Sequence, residues 1–230
     1  MENSILNIEN DIINTNSLSP LLKEFERKIL DLNSNLVEYS KHDTIIKQNS
    51  RASHLIYINS GLVKVSKEVR KEKNLILDIQ GPNNFIGISN VFGSDNYNYS
   101  ITAIEPTVVS FIDTKILKEN LVNSGALGLE FISLISKYNV LMTDKFSNLI
   151  YKQLPGRVAD IIIYFSENIY KSNTFTFPLT RQELAELAGT TKESVIRTLS
   201  EFKHDKIIDF ERNTVTILSP KIIHTLSRLG

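Results

Sequence analysis

Short apolar runs broken by turn residues dominate the first half of the chain. Leu55–Ile58 and Leu62–Ser66 lie on either side of Asn59-Ser60-Gly61, and this pattern predicts a β-hairpin. Helical spacing precedes the strands, at Pro20–Leu32. Three further runs predict strands: Asn74–Gln80, Ser100–Ala103 and Thr107–Ile112. Many short strands at close spacing indicate a small barrel, a sandwich or a jelly roll.

A longer helical pattern follows, from about residue 125 to residue 152. Its apolar residues recur at three-, four- and seven-residue steps, which places them on one stripe of a helix. The stripe has two interpretations: a helix packed on its own domain, or a coiled-coil contact between two subunits. On the second interpretation we predict a dimer seam of six residues: Phe131, Ile135, Tyr138, Met142, Phe146 and Leu149.

The run Leu154-Pro155-Gly156 breaks this helix and predicts a domain boundary. The remaining sequence predicts a helix at Arg157–Tyr170, two shorter helices, and a strand pair at Ile207–Phe210 and Thr214–Leu218. The predicted fold class is therefore α+β. Its three parts are a β-rich domain with an N-terminal helix at 1–124, the long helix at 125–153, and a mixed domain at 154–230.

The segment from Leu179 to Leu199 has the pattern of a helix-turn-helix. Thr180 with Glu183, and Thr190 with Glu193, have the spacing of capping boxes, so two helices are predicted to begin ten residues apart. Gly189 stands where the turn between them needs a positive φ angle. We expect Ala185 and Ala188 to allow close approach of the two helices, and Leu184, Leu187, Val195 and Leu199 to face inwards.

The second of these helices is predicted to enter the major groove of DNA, where its N-terminal residues contact base edges. We assign base contacts to Lys192, Glu193, Ser194 and Arg197, and expect Thr198 to point outwards with them. Phosphate contacts are assigned to the two helix N-termini: Thr180, Arg181, Gln182, Thr190 and Thr191.

Roles other than specific DNA contact stay open for these residues. Glu193 could serve only as a capping residue, and Lys192 could be a solvated lysine or a phosphate contact without specificity. Arg197 has the helical spacing to pair with Glu193 or Glu201. Some helix-turn-helix units are also structural and do not bind DNA.

Composition narrows the classes of function. The 230 residues contain 26 Lys and Arg and 26 Asp and Glu, for a net charge of +0, so a DNA-binding surface must be local. The absence of Cys excludes disulfides, thiolate zinc sites, cysteine nucleophiles and Cys-ligated iron–sulfur clusters. Without a signal peptide pattern or a long apolar run, a cytoplasmic protein with no membrane partner is expected.

The segments Thr180–Ala185 and Thr191–Arg197 resemble the DNA-binding signature of the Crp/Fnr family of bacterial regulators. Leu55–Gly61 is similar to that family's β-roll hairpin, and Gly156–Ala159 to its hinge. The resemblance implies an N-terminal double-stranded β-helix (a jelly-roll-like β-roll) that senses a signal, a long dimerisation helix and a C-terminal winged helix-turn-helix. It also implies a homodimer on a palindromic operator, with RNA polymerase as a partner.

The same resemblance implies base contacts by Glu193 and Arg197, often in half-sites that contain TGA. Lys192 stands where some members have another arginine, so the outer base preference is expected to differ.

The sensor region departs from the members that bind cyclic AMP. Those members have Glu after the Phe-Ile-Gly turn and an Arg-Ser pair further on, whereas here Ile88 follows Gly87 and Asp95–Ser100 contains no Arg or Lys. A buried phosphate without a cationic partner is costly, so no cyclic-nucleotide binding is predicted. No cofactor or metal is predicted either, although His42 and His54 leave haem open in principle.

Aromatic residues of this region could line a pocket for another small-molecule effector, or could be ordinary core and surface residues. The candidate effector pocket consists of Phe85, Ile88, Tyr97, Tyr99 and Tyr138.

The leading hypothesis is a dimeric transcription regulator without enzyme activity. A cupin-type metal enzyme would need clustered His and carboxylate ligands, and the four His are scattered through the sequence. The other alternative is a metabolite-sensing module that acts through protein partners.

Overall fold

The structure is a computed structural model that describes residues 19–33, 35–71 and 73–230. Its internal contacts divide the chain into two compact units, Met1–Leu141 and Met142–Gly230. One helix, Gly125–Tyr151, contains the point of division. The N-terminal unit is rich in β-strands, and the C-terminal unit is mainly helical.

Two four-stranded antiparallel sheets form the N-terminal unit. The first has the order β1 (Asn35–Tyr39), β8 (Thr107–Asp113), β3 (His54–Ser60) and β6 (Phe85–Ile86). The second has the order β2 (Thr44–Ile46), β7 (Ser100–Ala103), β4 (Val63–Arg70) and β5 (Lys73–Gln80). Apart from β4 and β5, which are neighbours in the second sheet, successive strands alternate between the two sheets, which is the jelly-roll arrangement predicted from the sequence.

Strand β3 is buried on both faces. Ile56 and Ile58 pack between the two sheets, in a core that also contains Val63, Ile101 and Val109. The alternate side chains of β3 pack on the other face of the sheet, in a second core with helices. A strand that is buried on both faces has apolar residues at successive positions instead of at every second one. This explains the apolar run Leu55–Ile58.

The hairpin predicted at Asn59-Ser60-Gly61 is wrong. β3 pairs with β6 and β8, while β4 pairs with β5 and β7, so the turn takes the chain from one sheet to the other. Gly61 has φ +86°, and a Cβ atom there would lie 2.3 Å from the carbonyl oxygen of Pro106. Turn residues between two apolar runs mark a reversal of the chain, but they do not identify the partner of each strand.

Four helices complete the described part of the N-terminal unit. They are α1 (Pro20–Asn33), α2 (Ile88–Gly93), α3 (Thr114–Asn123) and the first part of α4 (Gly125–Tyr151). Leu22 and Phe25 of α1 meet Leu127 and Phe131 of α4 in the second core, and the rings of Phe25 and Phe131 pack edge to face at 5.6 Å.

The structure therefore corrects part of the predicted dimer seam. Phe131 is only 2% exposed and packs in the core of its own subunit, so it does not lie on a free face. Tyr138 is half-buried beside the strands. Leu149 is 38% exposed and also packs against Gly189 in the C-terminal unit, so it stays a predicted seam residue. Apolar periodicity found the helix, but it did not separate the stripe that faces the core from the stripe that faces outwards.

A stripe of α4 that shares only Phe146 with the predicted seam is exposed in the monomer. Leu129, Ile132, Phe146 and Ile150 are between 56% and 68% exposed. They are separated by three, fourteen and four residues, which places them on one face of an α-helix. Ile135 and Met142 from the predicted seam are half-buried on the flank of this stripe.

The C-terminal unit contains helices around a three-stranded sheet. Helix α5 (Leu154–Ile163) continues into a π-helical turn at Tyr164–Ile169, and the sheet has the order β10 (Ile208–Glu211), β11 (Thr214–Ile217) and β9 (Thr174–Thr176). Three more helices follow in the chain: α6 (Arg181–Ala188), α7 (Lys192–His204) and α8 (Pro220–Leu229). The arrangement is a winged helix-turn-helix, and the predicted α+β fold is confirmed.

None of the described helices combines the length and the apolar content that are needed to cross a bilayer.

We expect Gly61→Ala to destabilise the N-terminal unit by about 1–3 kcal/mol, because the new Cβ atom meets backbone at a positive φ angle. Gly128→Ala is the control: its Cβ atom would lie 4.0 Å from the nearest atom, on a helix. That change should stabilise by about 0.5–1 kcal/mol, since Ala is the better helix former. Chemical denaturation measures both changes. Equal stability of the two variants would contradict the close packing at Gly61.

Candidate DNA-binding surface

Helix α6 begins with the capping box predicted from the sequence. The hydroxyl of Thr180 accepts a hydrogen bond from the backbone N–H of Glu183 at 3.2 Å, and the carboxylate of Glu183 accepts one from the N–H of Thr180 at 2.7 Å. These two bonds satisfy donors that a helix N-terminus leaves free. Leu184, Ala185 and Ala188 are buried, as their spacing predicted.

The turn between α6 and α7 depends on Gly189. Its φ and ψ angles, 62° and 45°, are left-handed, and the N–H of Thr190 donates to the carbonyl oxygen of Ala185 at 3.0 Å. A Cβ atom on Gly189 would lie 3.0 Å from Leu149 Cδ1. Glycine is therefore favoured twice at this position, by the backbone angle and by the side chain packed against it.

Helix α7 begins one residue later than the sequence suggested. Its N-cap is Thr191, whose hydroxyl accepts from the N–H of Ser194 at 3.3 Å. The predicted capping box of Thr190 with Glu193 is wrong, because the backbone of Thr190 completes the turn after α6. With the cap provided by Thr191, the side chain of Glu193 is exposed and has no capping role to perform.

The N-terminal half of α7 presents charged side chains on the surface. Lys192, Glu193 and Arg197 are exposed, and Ser194 is half-buried with its hydroxyl 3.0 Å from that of Thr191. Thr198, which we expected to point outwards, is buried at 3% exposure with the core side of the helix. Within the described residues, Arg197 forms no ion pair with Glu193 or Glu201.

All five predicted phosphate contacts lie at the two helix N-termini. Thr180, Gln182 and Thr191 are exposed, and Thr190 is half-buried. Arg181 differs, since its guanidinium group is directed to the strand pair β10–β11 and donates to the carbonyl oxygen of Arg212 at 2.8 Å.

Arg157 joins the helix-turn-helix to the end of α4, and the sequence analysis did not assign it a role. Its Nε donates to the carbonyl oxygen of Ala188 at 2.9 Å, and its Nη1 donates to that of Lys152 at 2.6 Å. The sequence signal for this role is the helix break at Pro155-Gly156. The carbonyl groups at the end of a helix need hydrogen-bond donors, and Arg157 directly follows the break.

The N-terminal unit contains a partly enclosed cavity of about 110 Å³ that includes most of the candidate effector pocket. Phe85, Ile88, Tyr99 and Tyr138 line it, together with Gln80. Tyr97 does not line it, because its ring is buried and its hydroxyl donates to the carbonyl oxygen of His54.

Apart from Lys137, the described residues that line this cavity have uncharged side chains. Burial raises the pKa of both Tyr99 and Tyr138, and the nearby Asp78 raises that of Tyr138 further. Both phenols are therefore protonated at neutral pH. The side-chain oxygen of Gln80 is buried and accepts no hydrogen bond from the described residues. Lys137 is the one cation among the lining residues that the structure describes.

Among the described residues, no group of three or more His, Asp or Glu is placed to hold a metal ion.

Two family models match the chain. The cyclic nucleotide-binding domain matches residues 36–123, and the Crp-like helix-turn-helix domain matches residues 156–223. The first range covers the strands of the N-terminal unit, and the second covers α6, the turn and α7.

Relatives of similar length match most of the chain. A CRP-like cAMP-activated global transcriptional regulator of Mycobacterium tuberculosis is 23% identical over 185 residues, which are 79% of this chain and 83% of the relative. The anaerobic regulatory protein of Bacillus subtilis is 25% identical over 205 residues, which are 87% of this chain and 86% of the relative.

Solved structures share the fold. FixK2 from Bradyrhizobium japonicum has a TM-score of 0.76 at 18% identity, over 85% of this chain and 98% of that one. A putative Crp/Fnr-family regulator from Eubacterium rectale has a TM-score of 0.77 at 20% identity, over 91% and 98%. With both domain models matched in the order seen here, the chain belongs to the Crp/Fnr family of DNA-binding transcriptional regulators, a family of regulators and not of enzymes.

Proposed function

We propose that this protein binds a palindromic operator as a homodimer and regulates transcription from it, with RNA polymerase as the partner it recruits or blocks. One observation carries the proposal. Glu193 and Arg197 are exposed one turn apart near the N-terminus of α7, and within the described residues neither one caps a helix or forms an ion pair.

These two side chains suit the edges of a G·C pair. An arginine can donate two hydrogen bonds to O6 and N7 of guanine, and a glutamate can accept one from the amino group of cytosine. A TGA-type half-site contains such a pair. Lys192 and Ser194 are the remaining proposed base contacts, with Ser194 limited by its hydroxyl contact to Thr191.

Phosphate contacts flank this surface in the proposal. Thr180 and Gln182 stand at the N-terminus of α6, and Thr190 and Thr191 at that of α7. Hydroxyl and amide groups at helix N-termini bind phosphate oxygens together with free backbone N–H groups. Such contacts position the protein on the duplex without reading its sequence. Because uncharged groups make them, they do not require a net positive charge on the chain.

The exposed stripe of α4 supports the homodimer. Leu129, Ile132, Phe146 and Ile150 are large apolar side chains that water covers in the monomer. Ser136, Asn139 and Thr143 occupy the same face between the two pairs. In a parallel helix pair, apolar ends would supply burial, while polar side chains in the middle would fix the register.

Arg197→Ala should weaken binding to the preferred operator by about 1–3 kcal/mol and relax the preference at one base pair of each half-site. Operators enriched from a random duplex pool, followed by titration of single-base variants, measure this effect. Arg228→Ala, an exposed arginine of α8, is the control and should leave the preference unchanged. An equal loss on every sequence would show that Arg197 contacts phosphate instead of a base.

Ile132→Asp should convert the dimer to a monomer, because the charge would be buried in the proposed interface. Sedimentation velocity measures the mass, and operator affinity should fall with it. Val122→Asp is the control, since Val122 is 84% exposed on α3 outside the stripe. A dimer that persists in Ile132→Asp with unchanged affinity would overturn this interface.

The cavity of the N-terminal unit supports a small uncharged effector. Its volume of about 110 Å³ is below the roughly 150 Å³ that admits benzene, so a cyclic nucleotide would require it to expand. The unpaired oxygen of Gln80 favours a ligand that donates a hydrogen bond. We keep the prediction that cyclic nucleotides do not bind.

Millimolar cyclic AMP or cyclic GMP should not raise the melting temperature, whereas acetamide, a neutral hydrogen-bond donor smaller than benzene, should raise it in proportion to its occupancy. Leu134→Trp fills the cavity from one wall and should abolish the effect of acetamide. Saturable stabilisation by a cyclic nucleotide would refute the exclusion. No response to acetamide in the unaltered protein would refute the proposed ligand class.

A further inference from the structure

The wing of the C-terminal unit is the strand pair β10–β11 with the turn between its strands. Arg212 stands in this turn in a left-handed conformation, with φ 54°, and its side chain is exposed. It is the only cation of the turn Glu211-Arg212-Asn213. On the other side, β11 pairs with β9, where the hydroxyl groups of Thr176 and Thr214 lie 2.8 Å apart.

One aromatic ring joins this wing to both helices of the helix-turn-helix. The half-buried ring of Phe210, on β10, has the guanidinium carbon of Arg181 at 5.4 Å from its centroid and the ammonium of Lys203 at 5.0 Å. Arg181 is the first residue of α6, and Lys203 lies in the last turn of α7. We call these three residues the Phe210 cluster. Each cation–ring contact contributes about 0.5–1 kcal/mol at exposed sites.

Hydrogen bonds fix the two cations of the Phe210 cluster to the wing. Arg181 Nη2 donates to the carbonyl oxygen of Arg212 at 2.8 Å. Lys203 Nζ donates to the carbonyl oxygen of Phe210 at 3.0 Å and pairs with Asp209 at 2.7 Å, which lowers the pKa of that carboxyl group. The wing is therefore attached at its turn by Arg181 and along β10 by Lys203.

The guanidinium of Arg181 faces the wing and not the solvent. Its Nη1 is buried and has no acceptor among the described residues, and burial lowers the pKa of the group. A phosphate contact would need this fork to turn outwards, away from Phe210 and from the carbonyl of Arg212. The structure thus points to a different role from the phosphate contact that the sequence suggested.

We propose that Arg181 is a positioning residue that holds the wing turn beside the N-terminus of α6, so that Arg212 contacts a DNA phosphate there. The inference rests on the proposed function of the helix-turn-helix. Arg212 lies next to that N-terminus because its own carbonyl group accepts from Arg181. In the proposed complex, a phosphate bound at Thr180 and Gln182 is within reach of the exposed side chain of Arg212.

The test is the salt dependence of DNA binding by the full-length dimer. The probe is the duplex enriched from a random pool, with a random duplex of equal length beside it. Each lost phosphate contact lowers the slope of log K against log salt concentration by about 0.9, so Arg212→Ala should lower it by about 1.8 per dimer. Lys221→Ala, on α8, removes a cation outside the wing and should leave the slope unchanged.

The double variant separates the two roles of Arg181. If Arg181 acts through Arg212, Arg181→Ala should lower the slope by the same amount, and adding it to Arg212→Ala should change nothing further. Additive losses, with the slope lowered by about 3.6 in the double variant, would overturn the proposal and make Arg181 a phosphate contact itself. An unchanged slope in Arg212→Ala would also overturn it.

Two conservative variants guard against a general loss of structure. Arg181→Lys keeps the charge but not the planar fork that reaches the carbonyl of Arg212 while lying over Phe210, so it should not restore the slope. Phe210→Leu keeps the apolar contact of the wing and should give a partial loss at an unchanged melting temperature. Full rescue by lysine would contradict the positioning role. Absence of any preference for the enriched duplex in the unaltered protein would instead refute the proposed function.

Discussion

The packing of Leu149 beneath Gly189 is the constraint on which the DNA-reading surface depends. The last turns of α4 lie against the turn between α6 and α7, and the left-handed glycine leaves the space that Leu149 fills. Arg157 adds donors to the carbonyl groups of Ala188 and Lys152, so the helix end and the turn share one guanidinium group. The direction of α7, and with it the placement of Glu193 and Arg197, follows from this contact.

The buried polar groups of the cavity in the N-terminal unit are not those of an anion-binding site. Tyr99 and Tyr138 carry protonated phenols, and the unpaired oxygen of Gln80 is an acceptor. A phosphate needs donors with positive charge, and these residues offer none. The family resemblance therefore extends to the sheets and the helices, while the chemistry of the cavity belongs to this chain.

Local patterns predicted the elements, and the errors arose where distant residues decide. The capping box of Thr180 and the glycine turn were correct because they involve neighbours in the sequence. The partner of β3 and the burial of Phe131 depend on segments far along the chain, and apolar spacing contains no such information. Helices α2, α3 and α8 were missed, since they are short or follow a strand directly. The cap of α7 was misplaced because Thr190 has the capping-box spacing to Glu193, whereas the backbone of Thr190 closes the turn after α6 and Thr191 caps the helix.

The acidic residue of the proposed base-contacting surface has a consequence for the search along genomic DNA. Glu193 is exposed between Lys192 and Arg197 on α7, and in the proposed complex it would face the strongly negative groove. On a sequence with no cytosine amino group at that position, the desolvation of this carboxylate would be uncompensated. The penalty would fall on the wrong sites and not on the right one, so the residue would shorten residence on bulk DNA and free the proposed dimer to sample new positions.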